Sequence, residues 1–136
     1  MIMRFVTPLE NFNIDEPALP EGYSLRLMRN TVEDRLIWDE LQTHFRHTSF
    51  TEGKQNTAVF VFHGDEPVGA LGVLVWDDVG FFTAGIVVEE HRRRGLFNAM
   101  MMAGFRYYQR IGVKLVRFAI REFLDEWGQR VLKTNV

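Results

Sequence analysis

The sequence predicts an α/β (α+β) fold, a mixed and mostly antiparallel central sheet with flanking helices in the order β-α-β-β-β-α-β-α. Three observations predict it. Runs of β-branched and aromatic residues at 57–63, 68–76 and 79–88 follow one another with only turn residues between them, which is a meander of antiparallel strands. A densely apolar stretch at 96–111 then separates the last of these from a further run at 113–120. Strand, helix and strand in succession form a right-handed crossover, which lays those two strands parallel. Finally, 136 residues suffice for one domain with a sizeable core and leave no room for a second.

The elements follow in chain order. Residues 1–21 hold three of the four prolines (Pro8, Pro17, Pro20) and little periodicity, so they are expected to form an extended arm ahead of a single domain over 22–136. Tyr23-Ser-Leu-Arg-Leu alternates apolar and polar residues, the pattern of a half-buried strand. Asn30-Thr31 can cap a helix reaching about Phe45, with Val32, Leu36, Ile37 and Leu41 facing inward and Trp38 and Phe45 widening that stripe. Gly-Asp-Glu-Pro at 64–67 joins two strands as a hairpin, and Trp76-Asp-Asp-Val-Gly reverses the chain again. Over 96–111 the apolar residues are too dense for a surface helix; Ala99, Met102, Phe105 and Tyr108 are expected to pack inward, and Gly112 ends the run. A strand at 113–120 and a last helix over 123–133 complete the reading.

Composition narrows the function classes. Without cysteine there is no disulfide framework, thiol nucleophile or thiolate metal site, which suits a reducing cytoplasm as the expected location. The N-terminus has no signal-peptide pattern, and no apolar run approaches the ~18 residues of a membrane span. Charge is divided unevenly: residues 1–90 carry 6 Lys/Arg against 15 Asp/Glu, and residues 91–136 carry 10 against 3. That split fits an anionic ligand or partner for the C-terminal third, or two surfaces that neutralise one another. Nucleic acid is not expected, because Arg92, Arg93, Arg94, Arg106, Arg110, Lys114, Arg117 and Arg121 spread over a loop, a helix and a strand rather than one face.

The densest positive charge, His91-Arg-Arg-Arg-Gly-Leu, lies where a strand ends and a helix begins. There Arg93, Arg94, Gly95 and Leu96 expose main-chain amides that no helical carbonyl accepts, and these together with the helix dipole bind anions. Glycine lets the backbone approach a ligand closely, and guanidiniums add charge-assisted bonds, so a pyrophosphate is the natural guest. A plainer arrangement uses the same residues, with arginines facing water and Gly95 supplying a turn. The motif lacks the Gly-Lys-Ser/Thr of a Walker loop and the glycine spacing of a dinucleotide fold.

Ile86-Val-Val-Glu-Glu-His-Arg-Arg-Arg-Gly-Leu-Phe resembles the acetyl-CoA signature of the GNAT N-acetyltransferases, in which an apolar strand and a short acidic turn precede Arg/Gln-x-x-Gly-x-Gly/Ala. Arg92 and Gly95 match its first fixed positions, and the likeness in element order covers roughly residues 22–136. The resemblance implies acetyl-CoA as acyl donor. It places the pyrophosphate on the loop amides of Arg93, Arg94, Gly95, Leu96, Phe97 and Asn98, beside Arg92, and pairs the pantetheine arm with backbone groups around Ile86 and Val87. It also implies a splay between the strands at 79–88 and 113–120 that admits the thioester. Two departures stand out. Phe97 occupies the slot where the family has Gly or Ala, so its side chain must turn away or the loop must differ. Near the C-terminus the register Leu124…Gly128…Val131 keeps only the small residue of the family's asparagine and tyrosine pattern. The family's final hairpin has no counterpart before Val136, so the sheet is expected to end exposed, to be covered by the N-terminal arm, or to be completed by a second copy of the chain.

Acyl transfer to an amine needs a neutral amine, a polarised thioester carbonyl and a proton for the sulfur. A main-chain amide between residues 85 and 87 can serve the carbonyl. Since 79–88 contains no ionisable side chain, a base must come from elsewhere, and Glu122 and His47 are the candidates. Glu122 also reads as a helix N-terminal acid. His44 and His47 can share a helical face, but two ligands are too few for a metal and none is expected. Tyr107 and Tyr108 are expected to pack with bonded hydroxyls. The reading is an acetyl-CoA-dependent N-acyltransferase acting on a primary amine of a small molecule or protein by direct attack in a ternary complex. The alternative is a non-catalytic acyl-CoA-binding or protein-interaction module.

Overall fold

A computed structural model describes residues 2–11, 14–43 and 57–121. Six strands form one sheet: β1 (Ile2–Pro8), β2 (Tyr23–Leu27), β3 (Thr57–His63), β4 (Glu66–Trp76), β5 (Val79–Val87) and β6 (Leu115–Arg121). Their order across the sheet is β1-β6-β5-β4-β3-β2. The antiparallel meander runs through β2, β3, β4 and β5, and β6 returns parallel to β5 as the crossover requires. At the tip between β4 and β5, Asp77 and Asp78 both adopt left-handed φ (52° and 61°), the conformation that a two-residue turn matched to strand twist demands.

The two helices take opposite faces of the sheet. Along β3 the side chains alternate: Val59 and Val61 join the cluster under α2 (Leu96–Arg110), while Ala58 and Phe60 join the cluster under α1 (Val32–Gln42). Both faces of the central strands are therefore covered, which is why β3 and β4 read as almost continuous apolar runs. Among the described residues no helix is long and apolar enough to cross a membrane.

Two expectations are refined. Of the three ends expected for the sheet, the described residues show the one in which the N-terminal arm covers it, and the arm does so as a strand: Ile2–Pro8 pairs antiparallel with all of β6, from Ile2↔Arg121 to Pro8↔Leu115. Pro8, with no N–H to give, stands at the last position of the strand, where it interrupts nothing. Leu9 follows it into the core at 3% exposure, and its N–H donates to Lys114 O at 2.7 Å. The flank of β6 facing away from β5 is thus taken by the chain's own N-terminal strand.

The second change concerns α1. Thr31 caps it as expected, but the buried positions are Asp34, Trp38, Leu41 and Gln42, whereas Val32 and Leu36 are 77% and 61% exposed. Rolling the helix to bury those two would gain about 1.5–3 kcal/mol for each. The roll would also expel Trp38 and pull Asp34 from Arg26, whose guanidinium donates to both carboxylate oxygens at 2.7 and 2.9 Å. The helical spacing was legible; its rotation follows from that ion pair. The last helix expected over 123–133 lies outside the described residues.

Candidate functional site

The site begins with a break in β5. Its parallel ladder with β6 holds three register pairs, Val79↔Leu115, Gly80↔Val116 and Phe81↔Arg117. Beyond Phe81, among the described residues, β6 continues with β1 on its other side while β5 continues with β4 alone. Between the pairs Val73↔Phe82 and Leu71↔Gly85, two residues of β5, Thr83 and Ala84, face the single Gly72. This is a β-bulge, which bends its strand and adds twist. A Cβ on residue 72 would overlap Thr83 Oγ1 and crowd the Trp38 ring, so the bulge needs the bare glycine. Below the bulge Tyr108, wholly buried, donates its hydroxyl to Phe81 O (2.9 Å) and Leu74 O (3.1 Å), fastening the closed end. Tyr108 thus packs with a bonded hydroxyl, as expected, and burial pushes that phenol far above its usual range.

Above the bulge the hydrogen-bonding sense of β5 can be assigned. Val88 N–H donates to Val68 O at 2.9 Å, so residue 88 faces β4 and, by antiparallel alternation, Ile86 does too while Gly85 and Val87 face the open side. Two contacts agree: Ile86 O lies against Gly69 of β4, and Val87 O accepts from Arg92 Nε at 2.8 Å. The open edge therefore offers Gly85 and Val87 rather than Ile86, whose side chain is buried beside Trp38 and Leu41.

From this edge a short 3₁₀ turn, Glu89–His91, leads into the arginine loop. Arg92 is bound at both ends, its N–H to Glu89 O and its guanidinium to the end of β5, so it braces the loop. Arg93 (φ 65°) and Gly95 (φ 77°) are both left-handed, the kind of backbone that curls successive amides into anion-binding concavities. Gly95 stands at the N-cap of α2 with open space where a side chain would be. Among the described residues the N–H groups of 93–98 have no acceptor, and the first bond of the helix is Ala99 N–H to Gly95 O. Arg93 and Arg94 are exposed, Leu96 is sunk in the core, and Asn98 holds a buried Oδ1 without a hydrogen-bond partner.

Phe97, the residue that departs from the signature, turns back over β5. A Cβ on Gly85 would lie 2.6 Å from its ring, so the ring covers the α2 face of Gly85 while remaining 42% exposed. Main-chain groups point along the plane of the sheet and side chains stand off its faces. Phe97 thus forms a wall beside the open edge and leaves the edge itself clear. The residues present fit a ligand with a diphosphate and an amide-bearing arm.

Glu122, His44 and His47 lie outside the described residues. Sequence reasoning missed one group beside the loop. His91 meets Tyr23 of β2 and His63 of β3, three aromatic rings brought together from elements far apart in the chain. No short motif could have signalled it.

The acetyltransferase (GNAT) family model matches residues 17–133. Among solved structures, the chain is similar to a GCN5-related N-acetyltransferase from Sphaerobacter thermophilus (TM-score 0.79, 18% identity, 96% of this chain and 46% of that one). A GCN5-related N-acetyltransferase from Kribbella flavida gives a TM-score of 0.69 at 16% identity, over 94% of this chain and 51% of that one. An aminoglycoside acetyltransferase from an uncultured soil metagenomic sample gives 0.62 at 12% identity, over 84% and 87%. The chain spans about half the length of the first two. No curated protein matches it in sequence. With the family model extending over most of its length, the chain belongs to the acetyltransferase (GNAT) family.

Proposed function

We propose that the chain is an acyl-CoA-dependent N-acyltransferase that moves an acetyl group from acetyl-CoA to a primary amine of a small molecule or protein, by direct attack in a ternary complex. The carrying observation is the open edge of β5 running into an uncapped helix N-terminus behind three arginines. In this reading the amides of 93–98 hold the diphosphate, with the Arg93 and Arg94 side chains adding charge. Gly85 and Val87 pair with the amide-bearing arm as an added strand would. When bound, acetyl-CoA supplies an activated acyl thioester. A main-chain N–H between residues 85 and 87 stabilises charge developing on its carbonyl oxygen. β5 carries no ionisable side chain, so proton removal from the amine falls to Glu122 or His47. A chain without cysteine accords with work in the cytoplasm.

Thermal unfolding with acetyl-CoA tests the reading. The ligand is expected to raise the melting temperature, and Gly95→Glu, which sets a carboxylate among the amides, is expected to abolish the rise. No rise at millimolar ligand overturns it. A second reading, a CoA-binding module without turnover, is favoured by the sealed Tyr108 phenol and the lack of a base on β5. Release of CoA thiol dependent on an added amine excludes that second reading.

A further inference from the structure

The arginine loop is held from two sides, and only one hold belongs to the loop itself. On the near side, Arg92 Nε donates to Val87 O. On the far side, His91 Nδ1 and Tyr23 Oη share a hydrogen bond of 2.7 Å between residues 68 positions apart. The Tyr23 ring lies tilted against His63 at 4.7 Å between centroids, and His63 in turn lies 5.1 Å from His91. His91 is the last residue of the 3₁₀ turn, which is otherwise fastened by three main-chain bonds: Val88 N–H to Val68 O, His91 N–H to Val88 O and Arg92 N–H to Glu89 O. Two residues later the chain enters the left-handed region at Arg93, which a residue with a Cβ holds only when its surroundings fix it.

We infer that Tyr23 and His91 are positioning residues, which set the angle at which the turn delivers the amides of 93–98. Their bond is not needed to assemble the sheet, because Tyr23 and His63 are already register partners through the β2–β3 ladder. Its removal frees the turn to rotate while the strands stay paired. The inference rests on the reading of those amides as the diphosphate site.

The test is the dissociation constant for CoA, measured by calorimetry on the whole chain, alongside the ligand-free melting temperature. Tyr23→Phe is expected to weaken CoA roughly five- to tenfold, the reach of one hydrogen bond. Its ligand-free melting temperature is expected to stay within about 2 °C of the wild type. His91→Leu should behave alike, whereas His91→Asn, whose side-chain amide reproduces the Nδ1 position, should recover the affinity to within about twofold. Equal CoA affinity in wild type and Tyr23→Phe overturns the positioning role and leaves the diphosphate site standing. An affinity loss matched by a large fall in ligand-free stability, or no rescue by asparagine, assigns the pair to the fold and also overturns it. A wild type that does not bind CoA removes the diphosphate site itself, and the positioning role with it.

Discussion

At the start of α1, Thr31 Oγ1 accepts the Asp34 N–H at 3.2 Å, and Glu33 and Asp34 set negative charge in the first turn; α2 starts from Gly95 with no side-chain cap, no acid in its first turn and three arginines just before it. Both helices present the same unpaired amides and the same positive end of a dipole. One is closed from within the chain. The other keeps its positive end open, beside an edge of β5 that, among the described residues, has no strand partner beyond Phe81. A chain that caps one helix start with Thr31 and first-turn acids, and concentrates cations at the other, carries opposite charge at the two starts, as the proposed anion site requires.

The largest expected effect falls on the closed end. Asp34 has no exposed side-chain surface and binds Arg26, Arg29 and the Arg29 main-chain N–H, the last at 2.6 Å. Asp34→Ala should cost about 2–3 kcal/mol in chemical denaturation, less than for a fully buried pair because both arginines are partly exposed, and should leave the acetyl-CoA melting shift in place. The Arg26 hydrogen bond first, and those from Arg29 after it, hold the carboxyl well below the usual carboxylate range against the opposing pull of burial. This contribution is therefore complete above pH ~4 and is lost as acid protonates the group. Wild-type stability should fall with acid below that point more steeply than that of Asp34→Ala.

Thr31→Ala comes next. It removes one cap and should cost about 1 kcal/mol, again without changing ligand response. The smallest effect, and the most telling, has the opposite sign. Arg94→Glu places an acid beside the open helix start, so ligand-free stability should hold or rise by up to about 0.5 kcal/mol. The acetyl-CoA melting shift should shrink in the same variant. Should Arg94→Glu instead lower ligand-free stability by a kcal/mol or more, the two helix starts are not the opposites described.

Much of the fold was legible. The meander, its two hairpin turns, the Thr31 cap, the end of α2 near Gly112 and the parallel return of β6 all rest on signals carried by residues close together in the chain. The arginine loop and its glycine were legible for the same reason. Less legible were the strand at Ile2–Pro8, the rotation of α1 and the choice of Gly85 over Ile86 as an open-edge residue. Each depends on a partner distant in sequence: β6 for the first, Arg26 for the second, and the hydrogen-bonding sense of the β4–β5 ladder for the third.

By itself the sequence determined the strands and helices from Tyr23 to β6, where the chain reverses among them, and where its positive charge meets a helix start, because periodicity, turn chemistry and capping act over a few residues. Only the tertiary structure decided that β5 parts from β6 after Phe81, that Phe97 folds back as a wall, and that Tyr23 reaches His91. Those outcomes are set by which main-chain groups and side chains remain unsatisfied once distant segments are packed together, and no local pattern encodes that remainder.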